Sequence, residues 1–171
     1  TLKPSMTSPG FRLMSPIRKP RTLGLAAGAI LALTLAGAAL AQTAAEQAVG
    51  ARQAGPTQIG AAFKTINDEA RAGKPDMAAI AAAAAKLKSH AAQVPTWFPK
   101  GSGVESGAKT GAKAEIWSDA AGFASASANF QAQANKLQQL AAAGNVDATK
   151  AQVRQVGAAC QACHSKYREK D

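Results

Sequence analysis

Residues 146–171 read VDATKAQVRQVGAACQACHSKYREKD. Val146, Thr149, Val153, Val156, Cys160, Cys163 and Tyr167 recur there at alternating spacings of three and four, the period of one buried helix face. The same stretch contains Cys160-Gln161-Ala162-Cys163-His164. In C-x-x-C-H, two thiols add across the vinyl groups of a porphyrin and the histidine that follows ligates its iron. Cys160 and Cys163 are the only cysteines in the chain, so its whole thiol inventory sits in this motif.

Two other chemistries use paired cysteines. A thioredoxin-like redox pair needs a preceding strand and a βαβ context. A zinc site needs further Cys or His ligands at suitable spacing. There is no second Cys pair, and the other histidine of the chain, His90, lies far upstream. A disulfide between Cys160 and Cys163 would close almost no loop, whereas stabilising disulfides gain from long ones. Covalent haem c, one per chain, is the reading that fits.

The N-terminal part of the chain agrees with it. Arg18, Lys19 and Arg21 form a positive region, Thr22 to Leu40 is apolar and small, and Ala39-Leu40-Ala41 supplies an A-x-A cleavage site. This is the pattern of a secretory signal peptide, with Met14 as its natural start. The apolar run is also long enough for a membrane anchor, but the cleavage site favours removal and no stable membrane insertion afterwards. Residues 1–41 therefore read as upstream sequence and signal peptide, and 42–171 as one mature domain with a single core. Export to the periplasm is where haem is joined to such thiols in bacteria.

Cleavage changes the charge balance. The whole chain carries +10 from 20 basic and 10 acidic side chains. Five of the basic residues and none of the acids lie in residues 1–41, which leaves 15 against 10, or +5. Two haem propionates would bring this to about +3. The remaining Lys and Arg are scattered and lack an aromatic stacking surface, so nucleic-acid binding is not expected. A mildly basic surface suits weak encounters with acidic redox partners in the periplasm.

The rest of the mature chain is Ala-rich with no hairpin signals, which predicts helices. Segment A spans about 44–72 and stops at Gly73-Lys74-Pro75. Segment B begins near Asp76, a good N-cap, and ends before Pro95. A loop covers about 95–114. Segment C spans 115–143 and closes at Gly144-Asn145. Segment D begins at Asp147, again read as an N-cap. The seam of B is Met77, Ile80, Ala84, Leu87, Ala91 and Val94; that of C includes Ile116, Phe123, Phe130 and Leu137, each seven apart. Four such helices with short connections predict an all-α, antiparallel four-helix bundle, with haem attached on the buried seam of D.

Segment A has the seam Val49, Arg52, Pro56, Ile59, Phe63, Ile66 and Ala70. Arg52 is charged and Pro56 breaks helices. A buried arginine needs an anionic partner, and a haem propionate would serve; otherwise Arg52 snorkels to solvent at the bundle end. Pro56 removes a backbone donor and should kink or interrupt helix A.

This combination resembles the cytochrome c-prime family, the class II c-type cytochromes. The matching residues are Ala48-Val49 and Arg52-Gln53, Phe98, Gly101-Ser102-Gly103, Glu115-Ile116-Trp117, and Val156-Gly157 leading into Cys160, Cys163, His164, Tyr167 and Arg168. They extend across residues 44–170. A C-x-x-C-H close to the C-terminus, on the last helix of a bundle, is far more specific than the motif alone.

The resemblance implies thioethers at Cys160 and Cys163 and a proximal ligand at His164. It places Arg52 and Gln53 at the propionate edge, Phe98 and Trp97 in the haem pocket, and Arg168 along the proximal side, one helical turn past the ligand. The position that carries methionine in low-spin relatives is Pro56, which cannot ligate, and Met77 lies at the far end of the bundle. Five-coordinate, high-spin iron with an open distal side is therefore expected, taking up small gases such as nitric oxide or carbon monoxide and cycling between ferric and ferrous states. The alternative is a six-coordinate, low-spin electron-transfer cytochrome with His90 or another rearranged ligand. With no identifiable distal acid–base residue, peroxidase-like turnover is not expected, and the chain reads as a non-enzyme. Homodimerisation through helices A and B is a habit of the family.

Overall fold

A computed structural model describes the backbone of residues 26–170 and the side chains of residues 44 and 46–170. The signal-peptide residues Arg18, Lys19 and Arg21 lie outside the described residues. The expected cleavage point after Ala41 falls in helical backbone whose side chains also lie outside them. The chain divides into two compact units, Thr1–Ala36 and Gly37–Asp171, and the helical bundle lies in the second.

Five α-helices are described: α1 (Ala26–Arg71), α2 (Met77–Gln93), α3 (Glu115–Ser118), α4 (Ala120–Ala142) and α5 (Val146–Tyr167). Two 3-10 turns, Val94–Trp97 and Val104–Ser106, shape the connection between α2 and α3. There are no β-strands among the described residues, only an isolated antiparallel bridge between Ala112 and Arg168. Among the described residues no helix is long and apolar enough to cross a membrane.

The helices begin where backbone donors find side-chain oxygens. Asp76 caps α2 by accepting from Ala78 N and Ala79 N at 2.9 and 3.0 Å, as its sequence position predicts. The cap of α5 is Asn145 rather than Asp147: the Asn145 side chain accepts from Ala148 N at 3.0 Å. Asp147 instead sits in the first turn, where a carboxylate favours the positive end of the helix dipole. Gly144, at φ +69°, closes α4. Its N–H donates to Ala141 O and that of Asn145 to Leu140 O, the paired bonds of a Schellman stop.

Segment C is not one helix. Asp119, at φ −117° and ψ 55°, separates α3 from α4, and its side chain caps α4 by accepting from Gly122 N. Short polar side chains compete with the helical backbone in this way. Pro56, by contrast, neither interrupts α1 nor lies on its buried seam. The helix is unbroken from Ala26 to Arg71, and Pro56 is exposed. Proline deprives the Arg52 carbonyl of its usual i+4 donor. The turns on either side are held by the burial of Arg52 and Gly55 before it and of Ala62 and Ile66 after it.

The apolar seams then meet. One core cluster draws Ala62, Ile66 and Ala70 from α1, Ile80, Ala84, Leu87 and Ala91 from α2, Phe130, Ala134 and Leu137 from α4, and Val153, Val156 and Ala159 from α5. Ile66, Leu87, Leu137 and Val156 are all fully buried, each worth about 1.5–3 kcal/mol on transfer from water. A second cluster joins Ala112, Ile116, Phe123 and Tyr167, with Phe98 and Trp117 packed against it. Helices α4 and α5 run antiparallel: Asp119 before α4 meets Tyr167 at the end of α5, and Gln133 meets Gln152 midway. The expected all-α four-helix bundle is thus present, with α3 as a short additional turn before the third long helix.

Candidate functional site

Cys160, Cys163 and His164 stand at i, i+3 and i+4 on α5, so they share one side of the helix. Cys160 packs against the main core cluster and Cys163 against the second. The two thiols therefore mark the junction between the clusters. Both are free and half-buried. Burial, with Cys163 nearby, pushes Cys160 up to about 11, and burial also raises Cys163. These are neutral thiols, the reverse of the depressed values that mark reactive redox pairs. Among the described residues no group of three or more His, Cys, Asp and Glu side chains could hold a metal ion, so the zinc alternative gains no partners.

His164 has its pKa lowered, first by desolvation and then by the Arg168 charge. Both effects favour the neutral imidazole that an iron ligand requires. Arg168 comes close to His164 as expected, but not from a further turn of helix. It is the C-cap of α5 in extended conformation, and its N–H bonds to His164 O.

Arg52 is where side-chain geometry adds most. It is buried at 8% exposure, and it neither snorkels nor waits unpaired. Its Nε donates to Trp97 O at 3.0 Å. One terminal nitrogen donates to Ser102 O at 2.8 Å and Ser102 Oγ at 2.7 Å, and the other to Thr110 Oγ1 at 3.1 Å. Its guanidinium carbon lies 4.7 Å from the Phe98 ring centre and 5.8 Å from that of Trp117. Loop carbonyls and hydroxyls thus hold the guanidinium in place at the loop. Desolvation lowers the Arg52 pKa, opposed by the charge of Glu105.

The loop around Arg52 carries the aromatic residues of the site. Phe98 meets Phe123 edge-on at 5.0 Å, and Phe123 meets Tyr167 at 5.4 Å. Trp117 donates its indole N–H to Phe98 O and Pro99 O. Trp97 is buried against Gly55, where any Cβ would collide with the indole ring. An open groove of about 490 Å³ flanks this cluster, bordered by Phe98, Trp117, Phe123, Ala120 and Ala124.

Of the residues singled out in the sequence, Cys160, Cys163, His164 and Arg168 come together on α5, and Arg52 and Phe98 meet across the loop. Gln53 is exposed and reaches none of these groups through a side-chain hydrogen bond. His90 lies in the last turn of α2, half-buried, with Nδ1 enclosed and lacking a hydrogen-bond partner among the described residues. Sequence reasoning gave Ser102 no role of its own and missed Thr110 and Asp119. Asp119 alone had a signal, its cap-forming residue type within Trp117-Ser118-Asp119.

Neutral thiols and a neutral imidazole on one helix side, beside an aromatic cluster and a buried arginine, suit a haem c joined at Cys160 and Cys163. Fold and donor set together define the class: a helical-bundle c-type haem protein with its motif on the final helix. The family described as Cytochrome C' matches residues 47–168, and the chain belongs to the cytochrome c' family, a family of haem c proteins. It is 37% identical over 124 residues to a cytochrome c' of Rubrivivax gelatinosus, covering 72% of this chain and 95% of that one. It also resembles a nitric oxide complex of a single-residue variant of cytochrome c prime from Alcaligenes xylosoxidans. The TM-score is 0.67 and the identity 35%, with 74% of this chain and 97% of the other covered. A third likeness, at TM-score 0.67 and 29% identity with the same coverage, is to a cytochrome c' with ligand-controlled dimer dissociation.

Proposed function

We propose that this chain is a periplasmic haem protein with one haem c, held by thioethers at Cys160 and Cys163 and by His164 on the iron. The haem supplies a redox-active iron. The residues of the chain favour the neutral imidazole and set the two half-buried thiols against two apolar clusters. This reading is carried by the single imidazole of His164 beside the two thiols on α5, and is supported by Pro56, which the family resemblance sets at the distal position and which cannot coordinate. Five-coordinate, high-spin iron follows, taking up nitric oxide or carbon monoxide and exchanging electrons with periplasmic partners. The nitric oxide complex of the Alcaligenes relative supports the gas. An apolar distal side offers no donor to stabilise bound oxygen and no acid–base group for turnover, so the protein acts as a binder and carrier rather than an enzyme. The relative with ligand-controlled dimer dissociation supports a homodimer that responds to ligand.

A six-coordinate, low-spin electron carrier is the second reading. The observation in its favour is the enclosed, unpartnered Nδ1 of His90. Resonance Raman and absorption spectra of the ferric and ferrous protein separate the two. High-spin spectra and a carbon monoxide response of the ferrous form uphold the first reading. A low-spin spectrum that turns high-spin on His90→Ala establishes the second.

A further inference from the structure

The turn of α5 that carries His164 is fastened by groups that the coordination reading does not use. Asp119 divides its carboxylate between two tasks. Oδ1 accepts from Gly122 N at 3.2 Å and caps α4. Oδ2 accepts from Lys166 Nζ at 2.5 Å and from Tyr167 O–H at 2.8 Å. Lys166 and Tyr167 follow the iron ligand by two and three residues. Tyr167 is buried at 4% exposure with its ring edge-on to Phe123, so its hydroxyl fixes the rotation of that turn.

Two further features converge here. The main chain pairs across the same place, with Lys113 N donating to Tyr167 O at 3.1 Å and Glu169 N to Gly111 O at 2.9 Å. At Gly122, a side chain would collide with both the Asp119 carboxylate and the Tyr167 hydroxyl. Glycine leaves the space in which Asp119 and Tyr167 meet. The Asp119 carboxyl is held below its usual range, chiefly by the Lys166 and then the Tyr167 hydrogen bond.

We infer that Asp119 is a positioning residue for the iron ligand, tying the His164 turn to the start of α4. This rests on the reading of His164 as the proximal ligand. Were His164 the one protein ligand of the haem iron, the anchorage of that imidazole would set the strain on the iron–histidine bond. Asp119 supplies that anchorage through Lys166 and Tyr167 without touching iron or imidazole.

The test uses haem-loaded Asp119→Asn and Tyr167→Phe, with Asp147→Asn as a control in the first turn of α5. Asparagine has one acceptor oxygen. Spent on capping Gly122, it keeps α4 intact and releases α5. Tyr167→Phe removes one hydroxyl only. Far-UV circular dichroism and haem content are expected to match the unsubstituted protein in all three. The iron–histidine stretching band of the ferrous protein is expected to shift or split in Asp119→Asn, to move less in the same direction in Tyr167→Phe, and to stay in place in Asp147→Asn. Amide exchange at residues 164–169 should quicken roughly tenfold in Asp119→Asn, which loses the bonds to both Lys166 and Tyr167. An unmoved band in both Asp119→Asn and Tyr167→Phe, with unchanged exchange, overturns the inference. An unsubstituted ferrous protein that lacks the band overturns the coordination reading instead. Exchange at residues 164–169 then decides whether Asp119 holds the turn.

Discussion

Replacing Arg52 by Met should release the loop between α2 and α3. Methionine keeps the apolar stem and removes four hydrogen bonds, to Trp97 O, Ser102 O, Ser102 Oγ and Thr110 Oγ1. Ser102 Oγ retains its bond to Pro99 O, and Thr110 Oγ1 still accepts from Ala112 N. The cost therefore concentrates on the Trp97 and Ser102 carbonyls. A buried acceptor left unsatisfied costs about 1–3 kcal/mol, and loss of the cation from the Phe98 and Trp117 faces adds about 0.5–2 kcal/mol. Relief from burying a guanidinium offsets part of this. The expected net loss is about 3 kcal/mol, read from the denaturant midpoint of the haem-loaded protein. Both tryptophans of the chain, Trp97 and Trp117, contact the Arg52 environment, so their emission reports the loop directly. Trypsin supplies a local readout at the exposed Lys100 and Lys109, where cleavage should quicken by tenfold or more. Arg52→Lys should recover less than half of the loss, since an ammonium lacks the planar fork. An Arg52→Met variant as stable as the unsubstituted protein, cut at an unchanged rate, would refute the assignment of Arg52 as the clamp of this loop.

Three other outcomes are expected. Leu137→Ala, at a position with 0% exposure, should lower stability by about 2–5 kcal/mol in equilibrium unfolding, with the haem spectrum unchanged. Gly55→Ala should drive Trp97 off α1 at about 1–3 kcal/mol, visible as a shift in tryptophan emission; an unshifted spectrum would contradict the close approach. Asp119 has a folded pKa below its ordinary value of 3.8. Its stabilisation is therefore present above the unfolded pKa and lost as pH falls through the folded one. Unfolding curves between about pH 2 and 5 should lose less stability on acidification in Asp119→Asn than in the unsubstituted protein.

The helices that were legible in the sequence were those whose burial follows a simple period. Ile80, Leu87, Phe130, Leu137 and Val156 all reach the core as their spacing predicts, because an apolar seam and the bundle it builds are the same physical fact. Asp76 was equally legible, since a cap is a local event. Asp119 was not, because what holds it out of the helix is the far end of α5, 47 residues away at Lys166. Arg52 was legible as buried but not as satisfied. Its acceptors are loop groups 45 to 58 residues further along the chain, brought in by turns that leave no periodic trace. Pro56 misled for the opposite reason. Its local rule is sound, yet packing before and after it keeps α1 whole. The motif on α5 announced its chemistry by residue type alone, whereas the protonation of its thiols depends on burial that only the packed bundle supplies.

The bridge between Ala112 and Arg168 is made of main chain, with bonds on either side from Lys113 N and Glu169 N. Replacement of these side chains by alanine deletes none of it. An alanine scan reads only the side chains here, such as Arg168 beside His164, and leaves the main-chain crossing intact. Proline is the substitution that sees it: Lys113→Pro removes the donor to Tyr167 O, and Glu169→Pro the donor to Gly111 O. This stretch thus holds a main-chain seam between the end of α5 and the loop before α3, and the sensitivity of that seam lies in the backbone.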